Sequence, residues 1–400
     1  MTTQYLPSTE VLLPRLRTFI DEHVRDRESQ WDQQIREFGN TTPPIITELK
    51  AQAREAGLWN LFLPDPIAGA GLTNRQYAPL AEEMGRIPWA SEIFNCSAPD
   101  TGNMELLWKY GTPEQKQQWL TPLLAGEIRS AYLMTEPGVA SSDATNIETT
   151  IERDGDHYVV NGRKWFATGV LNPACTIWIV MGRSSSDGPR HTQHTQILVE
   201  PGTPGVTIVR PLPVLGVIEG YAGHAEVEFD HVRVPAENVI LGEGRGFEIA
   251  QGRLGPGRIH HCMRTIGLAE RALDAMCDRL LSRSAFGRTL ADNEHWQQKV
   301  AEARIDIDMA RLLTLDAADT IDNAGIKAAM AKVAMIKVAV PRMARRVIDQ
   351  AIQAFGAAGL TDDFRLPEMY RTARWVSIAD GPDEVHARTV ARMEFAAHRN

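Results

Sequence analysis

Between Ile147 and Gly169 the sequence reads IETTIERDGDHYVVNGRKWFATG, and this segment decides the fold. Asp154-Gly155 is a preferred turn dipeptide between antiparallel strands, because both residue types tolerate positive φ angles. It separates two short runs that are rich in β-branched and aromatic residues, 147–152 and 157–160. The segment therefore predicts a β-hairpin that turns at Asp154-Gly155.

Two further runs extend the β-rich region on the C-terminal side of this hairpin. Residues 175–181 (CTIWIVM) have the composition of a buried strand. Residues 225–229 (AEVEF) alternate between apolar and acidic side chains, as a half-exposed strand does. Pro-Gly dipeptides at 201–202 and 204–205 mark turns. Together these signals predict a small antiparallel β domain over residues 131–244.

The residues that precede this β domain have the signals of α-helices. Residues 112–115 (TPEQ) form a capping-box sequence, in which the first and last side chains each bind the backbone N–H of the other residue. Thr42-Pro43 predicts another helix start, with Thr42 as the capping residue, and Gly57 predicts the end of that helix. Residues 1–130 are therefore predicted to form an α-helical domain.

After the β domain, the spacing of apolar residues returns to that of α-helices. Long amphipathic segments are predicted at 247–283, 293–323, 326–355 and 380–397, with breaks at Gly356, Gly359 and Pro367. Four long helices with short connections predict a four-helix bundle over residues 245–400. The predicted fold class is α+β, with a helical domain, a middle antiparallel β domain and a C-terminal bundle.

Composition limits the classes of function. The 400 residues carry a formal net charge of −9 and no long basic run, so nucleic acid is not an expected partner. No apolar run is long enough to span a membrane. Residues 1–28 lack the basic region and apolar core of a signal peptide, and their acidic residues also argue against a transit peptide. The four cysteines are scattered, so we expect reduced thiols, no metal site and a cytoplasmic location.

Five parts of the chain together resemble one enzyme family. They are residues 131–143 with YLMTEPG, 161–169 with RKWFATG, 229–247 with VPAENV, 283–288 (RSAFGR), and the pair QAFGAAG at 353–359 and IADGPDEVH at 378–386. Their order and spacing resemble the acyl-CoA dehydrogenase family over essentially the whole chain. The resemblance implies the fold of that family, FAD as cofactor, an acyl-CoA substrate and electron-transfer flavoprotein as the electron acceptor.

The first two parts imply contacts with the flavin ring. The positions that match the flavin-binding loop are Met134, Thr135, Ser141 and Ser142. One of the two serines also contacts the substrate, and an extra residue in this loop leaves the choice between them open. Phe166 matches an aromatic that packs against the ring, and Thr168 matches a hydroxyl that meets flavin N5. The alternative for Phe166 is a core aromatic, and Trp165 is expected on the opposite face of the strand, in the core.

The last two parts imply contacts with the remainder of FAD. The matching positions are Arg283, Phe286, Gln353, Gly356, Ala357, Pro382 and Glu384. Arg283 and Phe286 match residues that a neighbouring subunit supplies, so the resemblance implies a homodimer or a homotetramer. A guanidinium suits this position because it can bind a pyrophosphate with two parallel hydrogen bonds. The alternative for residues 283–288 is a charged helix end that stops at Gly287.

Asp380 matches the catalytic base of the family. Removal of the α-proton of a thioester needs a carboxylate held against that carbon, shielded from water, with the enolate charge stabilised at the carbonyl. Most members carry glutamate at this position, and some place a glutamate on the first bundle helix, where this chain has Gly257. The resemblance therefore implies Asp380 as the base and Arg258 as a contact to the CoA portion.

Residues 380–386 (DGPDEVH) resemble one branch of the family, that of members ten and eleven. The linked chemistry of this branch is catabolism of 4-hydroxyacyl-CoA through a 4-phosphoacyl-CoA. Arg258, His261 and Arg264 have near-helical spacing, so one face could bind a phosphate of CoA or of the acyl chain; a solvated face is the alternative. A nitroalkane-oxidase-like flavoenzyme, a non-catalytic flavin-binding relative and oxygen as electron acceptor also stay open.

Overall fold

The structure is a computed structural model that describes residues 8–399, apart from the side chain of Leu254. Its α-helices are α1 (Thr9–His23), α2 (Glu28–Phe38), α3 (Pro44–Glu55), α4 (Asn74–Gly85), α5 (Ala90–Ile93), α6 (Asp100–Tyr110), α7 (Pro113–Gln115), α8 (Thr121–Leu124), α9 (Gly246–Ser282), α10 (Glu294–Phe355), α11 (Leu366–Val376) and α12 (Asp383–Ala397). Its strands are β1 (Arg129–Leu133), β2 (Thr150–Asp154), β3 (His157–Thr168), β4 (Cys175–Arg183), β5 (His194–Val199), β6 (Val206–Leu212), β7 (His224–Pro235), β8 (Ser284–Ala285) and β9 (Arg288–Thr289). The expectations for residues 1–7 lie outside the described residues.

The chain divides into two compact units. One, the sheet unit, consists of Asp26–Leu63 and Glu92–Leu254. The other, the bundle unit, consists of Pro64–Ser91, Gly255 onwards and the described part of the segment that ends at Arg25. The division into domains at residues 130 and 244 stays a prediction.

The predicted hairpin is confirmed in the sheet unit, with its turn one residue further along the chain than predicted. Asp154 pairs with His157, so the connection consists of Gly155 and Asp156. Gly155 has a φ of 64°, the positive value that this turn requires. The register continues to the pair formed by Thr150 and Asn161, which fixes the side chains of β3 that face the core.

The sheet is mixed rather than wholly antiparallel. Its strands follow the order β1-β4-β2-β3-β7-β6, and β5 pairs with β4. Most pairs are antiparallel as predicted, but β4 is parallel to both β1 and β2. The antiparallel prediction is therefore wrong at these two pairs. Alternation of residue types indicates a strand but not its direction, which here depends on how the β2–β3 hairpin connects β1 to β4.

Strand β4 provides the centre of the sheet core, as its apolar run predicted. Its fully buried residues are Ile177, Trp178, Ile179, Val180 and Met181, each 0% exposed. Both faces of this strand are therefore covered, which is typical of a continuous apolar run.

The predicted alternation of residues 225–229 fails at Glu226, which is buried within β7. Arg163 Nε lies 2.9 Å from its carboxylate, and Arg210 Nε lies 2.7 Å from it. Because arginines of the two neighbouring strands both bind this glutamate, its charge is compensated and the side chain need not face water.

Two of the three helix signals in the first third of the chain are confirmed. Thr112 and Gln115 form the predicted capping box, and α3 ends at Glu55, before Gly57 with a φ of 64°. The prediction for Thr42 is wrong, because Pro43 takes the capping position in an extended conformation. The Thr42 hydroxyl instead accepts a hydrogen bond from Asn172, at 2.9 Å.

The bundle unit contains the predicted long helices with two changes. A break at Gly325 (φ 79°, ψ 169°) divides α10 into the two helices that the sequence predicts. Helix α11 occupies the region predicted to be a break, since Pro367 lies in its first turn, where proline is tolerated. The last helix begins at Asp383 rather than at Asp380, because Pro382 is its capping residue. Asp380 therefore lies in the connection between α11 and α12.

Candidate active site

Asp380 lies in a tight turn of the bundle unit. Its φ is 55°, an uncommon left-handed value for a residue with a Cβ, and Gly381 follows at 103°. A Cβ on Gly381 would lie 2.8 Å from Nε2 of His386, so the turn requires glycine. The side chain of Asp380 is 21% exposed. The turn thus holds a half-buried carboxylate in a conformation that surrounding contacts must stabilise.

Two side chains bind the backbone carbonyl of Asp380. Arg258 Nε donates a hydrogen bond to this oxygen at 3.2 Å. The Nε2 atom of His386 lies 3.1 Å from the same oxygen. Burial lowers the pKa of His386 to about 4, so the ring is neutral near neutral pH. Because a carbonyl can only accept, Nε2 carries the single ring proton.

Lys337 holds the backbone that immediately precedes the turn. Its ammonium donates to the carbonyl of Val376 at 2.6 Å and to that of Ala379 at 2.8 Å. The side chain is buried; burial lowers the pKa of Lys337, and the charge of Asp380 opposes this shift. The sequence analysis did not predict a role for Lys337. Its one signal in the sequence is that a lysine occupies an apolar position of a predicted helix.

The predicted basic residues of α9 are close to the turn. His261 Nε2 lies 3.5 Å from a carboxylate oxygen of Asp380. Arg264 lies 3.3 Å from Nδ1 of the same imidazole, and Arg258 binds the Asp380 carbonyl. A guanidinium can only donate, so Nδ1 accepts and the proton of a neutral His261 lies on Nε2, directed to the carboxylate. Arg258 and His261 thus both contact Asp380.

In the sheet unit, the loop that follows β1 lies beside β3. The carbonyl of Met134 accepts from Lys164 Nζ at 3.0 Å, and the carbonyl of Thr135 accepts from the N–H of Trp165 at 3.0 Å. Lys164 also pairs with Glu136 at 2.8 Å. Burial lowers the pKa of Lys164 to about 8, with Glu136 acting against that shift. The two parts of the sequence predicted to meet a flavin ring are therefore adjacent.

The two serines of this loop have different environments. Ser141 Oγ accepts a hydrogen bond from the N–H of Glu136 at 2.8 Å, which closes the loop on itself. Ser142 is exposed. The structure thus assigns an internal role to Ser141, whereas Ser142 is available to a ligand.

Phe166 and Trp165 contact each other, which corrects the prediction that they lie on opposite faces. Their ring centroids are 5.1 Å apart, with an edge-to-face angle of 67°. The register of β3 with β7 shifts between Lys164 and Ala167, and Phe166 has a φ of 51°. This bulge interrupts the alternation of side chains. It leaves the Phe166 ring 45% exposed, unlike a core aromatic.

Thr168 contacts a histidine that the sequence analysis missed. Its Oγ1 lies 2.9 Å from Nδ1 of His224, which is also 5.9 Å from Phe166 between ring centroids. The other ring nitrogen, Nε2, lies 3.7 Å from Glu219. Burial lowers the pKa of His224 to about 4. The pairing of Thr168 with His224 in the β3–β7 ladder was not predicted.

Arg283 and Phe286 lie in an exposed hairpin next to the C-terminal end of α9. Strands β8 and β9 pair through Ala285 and Arg288, so Phe286 and Gly287 form the turn, with φ angles of 53° and 80°. Helix α9 already ends at Ser282, so the alternative of a helix stop at Gly287 is wrong. The Phe286 ring is fully exposed.

The remaining predicted positions lie at two helix ends of the bundle unit. Gln353, Gly356 and Ala357 are exposed where α10 ends, and Gly356 has a φ of 63°. An open cleft next to them is lined by Ala275, Asp278, Arg279, Leu281, Ser282, Phe355 and Phe364. The Arg279 guanidinium lies 4.9 Å from the centroid of the Phe355 ring. Pro382 caps α12, and Glu384 is exposed in its first turn.

Among residues 8–399, no group of three or more His, Cys, Asp or Glu side chains has the arrangement of a metal site. None of the helices within this range combines the length and the apolar character needed to cross a membrane.

Three family models match the chain in succession. They are the N-terminal domain of acyl-CoA dehydrogenase at residues 7–127, its middle domain at 131–232 and its C-terminal domain at 244–394. The chain belongs to the acyl-CoA dehydrogenase family. The family resemblance and the fold class are thus confirmed, and the relatives of the chain are oxidoreductases.

Curated relatives are similar over nearly the whole of this chain. Probable acyl-CoA dehydrogenase FadE2 of Mycobacterium tuberculosis is 54% identical over 96% of this chain and 95% of its own length. Acyl-CoA dehydrogenase family member 10 of Mus musculus is 53% identical, over 97% of this chain and 37% of its own length. Acyl-CoA dehydrogenase family member 11 of Homo sapiens is 52% identical, over 96% of this chain and 50% of its own length. The chain spans half or less of the length of these two animal relatives.

Solved structures show the same architecture. One from Mycobacterium abscessus, named as a candidate acyl-CoA dehydrogenase, is 50% identical, with a TM-score of 0.94 over 98% of both chains. Butyryl-CoA dehydrogenase from Megasphaera elsdenii is 26% identical, with a TM-score of 0.82 over 99% of this chain and 100% of that one. The helical, β and helical order of the family is therefore shared along the chain.

Proposed function

We propose that this acyl-CoA dehydrogenase converts an acyl-CoA thioester to the trans-2-enoyl-CoA, with Asp380 as the base and FAD as the cofactor. The observation that carries this proposal is the turn at Asp380. A carboxylate in a left-handed conformation is held in place by Arg258, Lys337 and His386, which all bind the backbone at or just before Asp380. Residues held in such sparsely populated conformations cluster at active sites.

In the proposed reaction, a carboxylate oxygen of Asp380 removes the α-proton of the thioester. The cationic groups near Asp380 favour its ionised form before the transfer. Arg258 and Lys337 supply positive charge, and His261 can donate a hydrogen bond from Nε2. The turn is fixed through backbone contacts, so the carboxylate is positioned before the substrate binds.

The residues of the sheet unit fit a flavin ring by their chemistry. An exposed aromatic ring at Phe166, the Thr168 hydroxyl and the backbone of Met134–Thr135 lie along β3 and the loop beside it. This set supplies a stacking surface with donors and acceptors for the polar edge of the ring. The chemistry that bound FAD supplies is acceptance of the β-hydride. Electron-transfer flavoprotein is the proposed final acceptor.

The hairpin with Arg283 and Phe286 is proposed to bind the FAD of a second copy of the chain. Its full exposure supports this, because an aromatic at the tip of a rigid turn has no packing role in its own chain. This contact requires a homodimer or a homotetramer. The cleft beside Gly356 and Ala357 is the proposed place for the ADP half of FAD.

Phe286→Ala is expected to weaken FAD binding about tenfold, the loss of roughly one aromatic contact. The unfolding midpoint of the FAD-free protein should stay unchanged, because the ring is fully exposed. FAD affinity is measured by fluorescence titration. Ile67→Ala, at a side chain 95% exposed in the same unit, is the matched control and should change neither quantity. Equal FAD affinity in Phe286→Ala and the wild type would contradict the intersubunit contact.

The proposed substrate class extends to 4-hydroxyacyl-CoA and 4-phosphoacyl-CoA. His261 and Arg264 contact each other, and His261 lies 3.5 Å from the Asp380 carboxylate, so they place donors close to the proposed acyl site. A phosphate on the acyl chain would be recognised by such groups. Arg258 is the proposed contact to the CoA portion of the substrate. Ser142 is the proposed contact to its thioester end.

The test is anaerobic mixing of the FAD-loaded protein with a panel of acyl-CoAs while the absorbance of the oxidised flavin is followed. The panel contains straight chains from short to long, together with 4-hydroxyacyl and 4-phosphoacyl forms. Bleaching is expected with at least one thioester, and faster bleaching by a phosphorylated member would support the extended substrate class. A protein that holds FAD but is bleached by no thioester would favour a nitroalkane-type or a non-catalytic function.

A further inference from the structure

Glu219, His224 and Thr168 form a chain of polar contacts in the sheet unit. Thr168 is the last residue of β3 and pairs with His224, the first residue of β7. Their side chains meet at 2.9 Å between Oγ1 and Nδ1. On the far side of the ring, Nε2 lies 3.7 Å from Oε2 of Glu219. One imidazole therefore connects a carboxylate to the threonine hydroxyl.

The contacts determine the position of the proton on the imidazole. The ring of His224 is 15% exposed, and burial lowers its pKa to about 4, so it is neutral near neutral pH with one N–H. A carboxylate can only accept, so Glu219 favours the tautomer with the proton on Nε2. Nδ1 then has a lone pair, and the Thr168 hydroxyl donates its only proton to it.

We propose that His224, supported by Glu219, fixes Thr168 as a hydrogen-bond acceptor toward the redox group bound at this edge of the sheet. This proposal rests on the proposed function, in which Thr168 meets flavin N5. With its proton committed to His224, Thr168 Oγ1 presents lone pairs to a ligand. His224 is thus a positioning residue that acts through Thr168.

The expected consequence is a bias between the two redox forms of the flavin. N5 of an oxidised flavin has a lone pair, whereas N5 of a reduced flavin carries a proton. An accepting oxygen therefore stabilises the reduced form and offers nothing to the oxidised form. If His224 were absent, the Thr168 hydroxyl could turn and donate to the oxidised form. His224 should therefore raise the reduction potential of the bound cofactor and favour acceptance of the hydride.

The first experiment measures the reduction potential of the FAD-loaded protein by dye-linked reductive titration. His224→Phe keeps a ring that can pack against Phe166 and removes both nitrogens. This variant should shift the balance toward the oxidised form by about tenfold, equal to about 30 mV for two electrons. In a Thr168→Ala background, the same substitution should have no effect, because the hydroxyl is already absent. A second variant, Glu219→Gln, keeps the ring and should give a smaller shift in the same direction.

The second experiment needs no cofactor. The ¹⁵N shifts of the His224 ring, recorded on the flavin-free protein near neutral pH, should show Nδ1 without a proton and Nε2 with one. The opposite tautomer would overturn the proposal. An unchanged potential in both His224→Phe and Glu219→Gln, or an equal shift with and without the Thr168 hydroxyl, would overturn this proposal alone. A chain that takes up no flavin would overturn it together with the proposed function.

Discussion

Asp380→Asn is expected to reduce the rate of flavin bleaching by acyl-CoA by about 10³-fold or more, the scale of a lost general base. The protein should nevertheless fold and retain FAD. Arg258 and His386 bind the backbone carbonyl of residue 380 rather than its side chain, so these contacts survive the substitution. Asparagine also tolerates the positive φ of this turn better than most residues. The measurement is the single-turnover bleaching rate at saturating substrate.

The controls for this variant separate loss of the base from loss of the turn. Asp363→Asn removes an exposed carboxylate of the same unit and should leave the bleaching rate unchanged. Asp380→Glu restores a base that is one methylene longer and should recover part of the rate. Wild-type bleaching by Asp380→Asn would remove Asp380 from the mechanism. An inactive Asp380→Asn that has also lost FAD would indicate a structural role instead.

The parts of the fold that the sequence predicts are those with a local cause. Gly155 determines its hairpin because the turn between Asp154 and His157 requires the positive φ that glycine adopts readily. Gly325 similarly marks the division of α10, where a left-handed φ is adopted. The direction of β1 relative to β4 has no such local signal, and it depends on the path of the chain between the two strands.

The residues of the candidate site were likewise predictable only where the signal is local in the sequence. The motif at 378–386 indicated Asp380, but the sequence placed it inside a helix, because apolar spacing does not show where the helix begins. Lys337 and His224 were missed because their partners are distant in sequence: a backbone carbonyl 42 positions away and a hydroxyl 56 positions away. Contacts of this kind are formed by tertiary packing and are absent from any short stretch of residues.

Lys337→Met is expected to have the second-largest effect on the proposed reaction. The substitution leaves the buried carbonyl of Val376 without this donor, at a cost of about 1–3 kcal/mol, and removes the donor to the partly buried carbonyl of Ala379. It thereby loosens the backbone that precedes Asp380. We expect the bleaching rate to fall about 10- to 100-fold, because a carboxylate displaced from its position transfers the proton poorly. Lys332→Met, on the same helix at a half-exposed lysine that pairs with Asp316, is the matched control.

The dependence of the bleaching rate on pH shows whether Lys337→Met acts through the lost charge or only through the lost backbone contacts. Lys337 is a cation near the carboxylate of Asp380, so its removal should favour the protonated base and move the lower midpoint of the bleaching profile to higher pH. The other charged or titratable groups in this cluster are Arg258, His261, Cys262, Asp383 and His386. Burial raises the pKa of Cys262 to about 12 and lowers that of His386 to about 4, so neither changes charge near neutral pH.

Lys337→Gln separates the charge of Lys337 from its hydrogen bonds, because glutamine keeps a hydrogen-bond donor and removes the charge. If Lys337 acts on the base through its charge, Lys337→Gln and Lys337→Met should both shift the midpoint upward by about half a unit or more. Lys337→Gln should lose less of the rate, since part of the backbone contact is kept. If both variants only lower the unfolding midpoint, with the profile unmoved and the rate per folded molecule retained, Lys337 stabilises the helix ends and has no part in positioning Asp380.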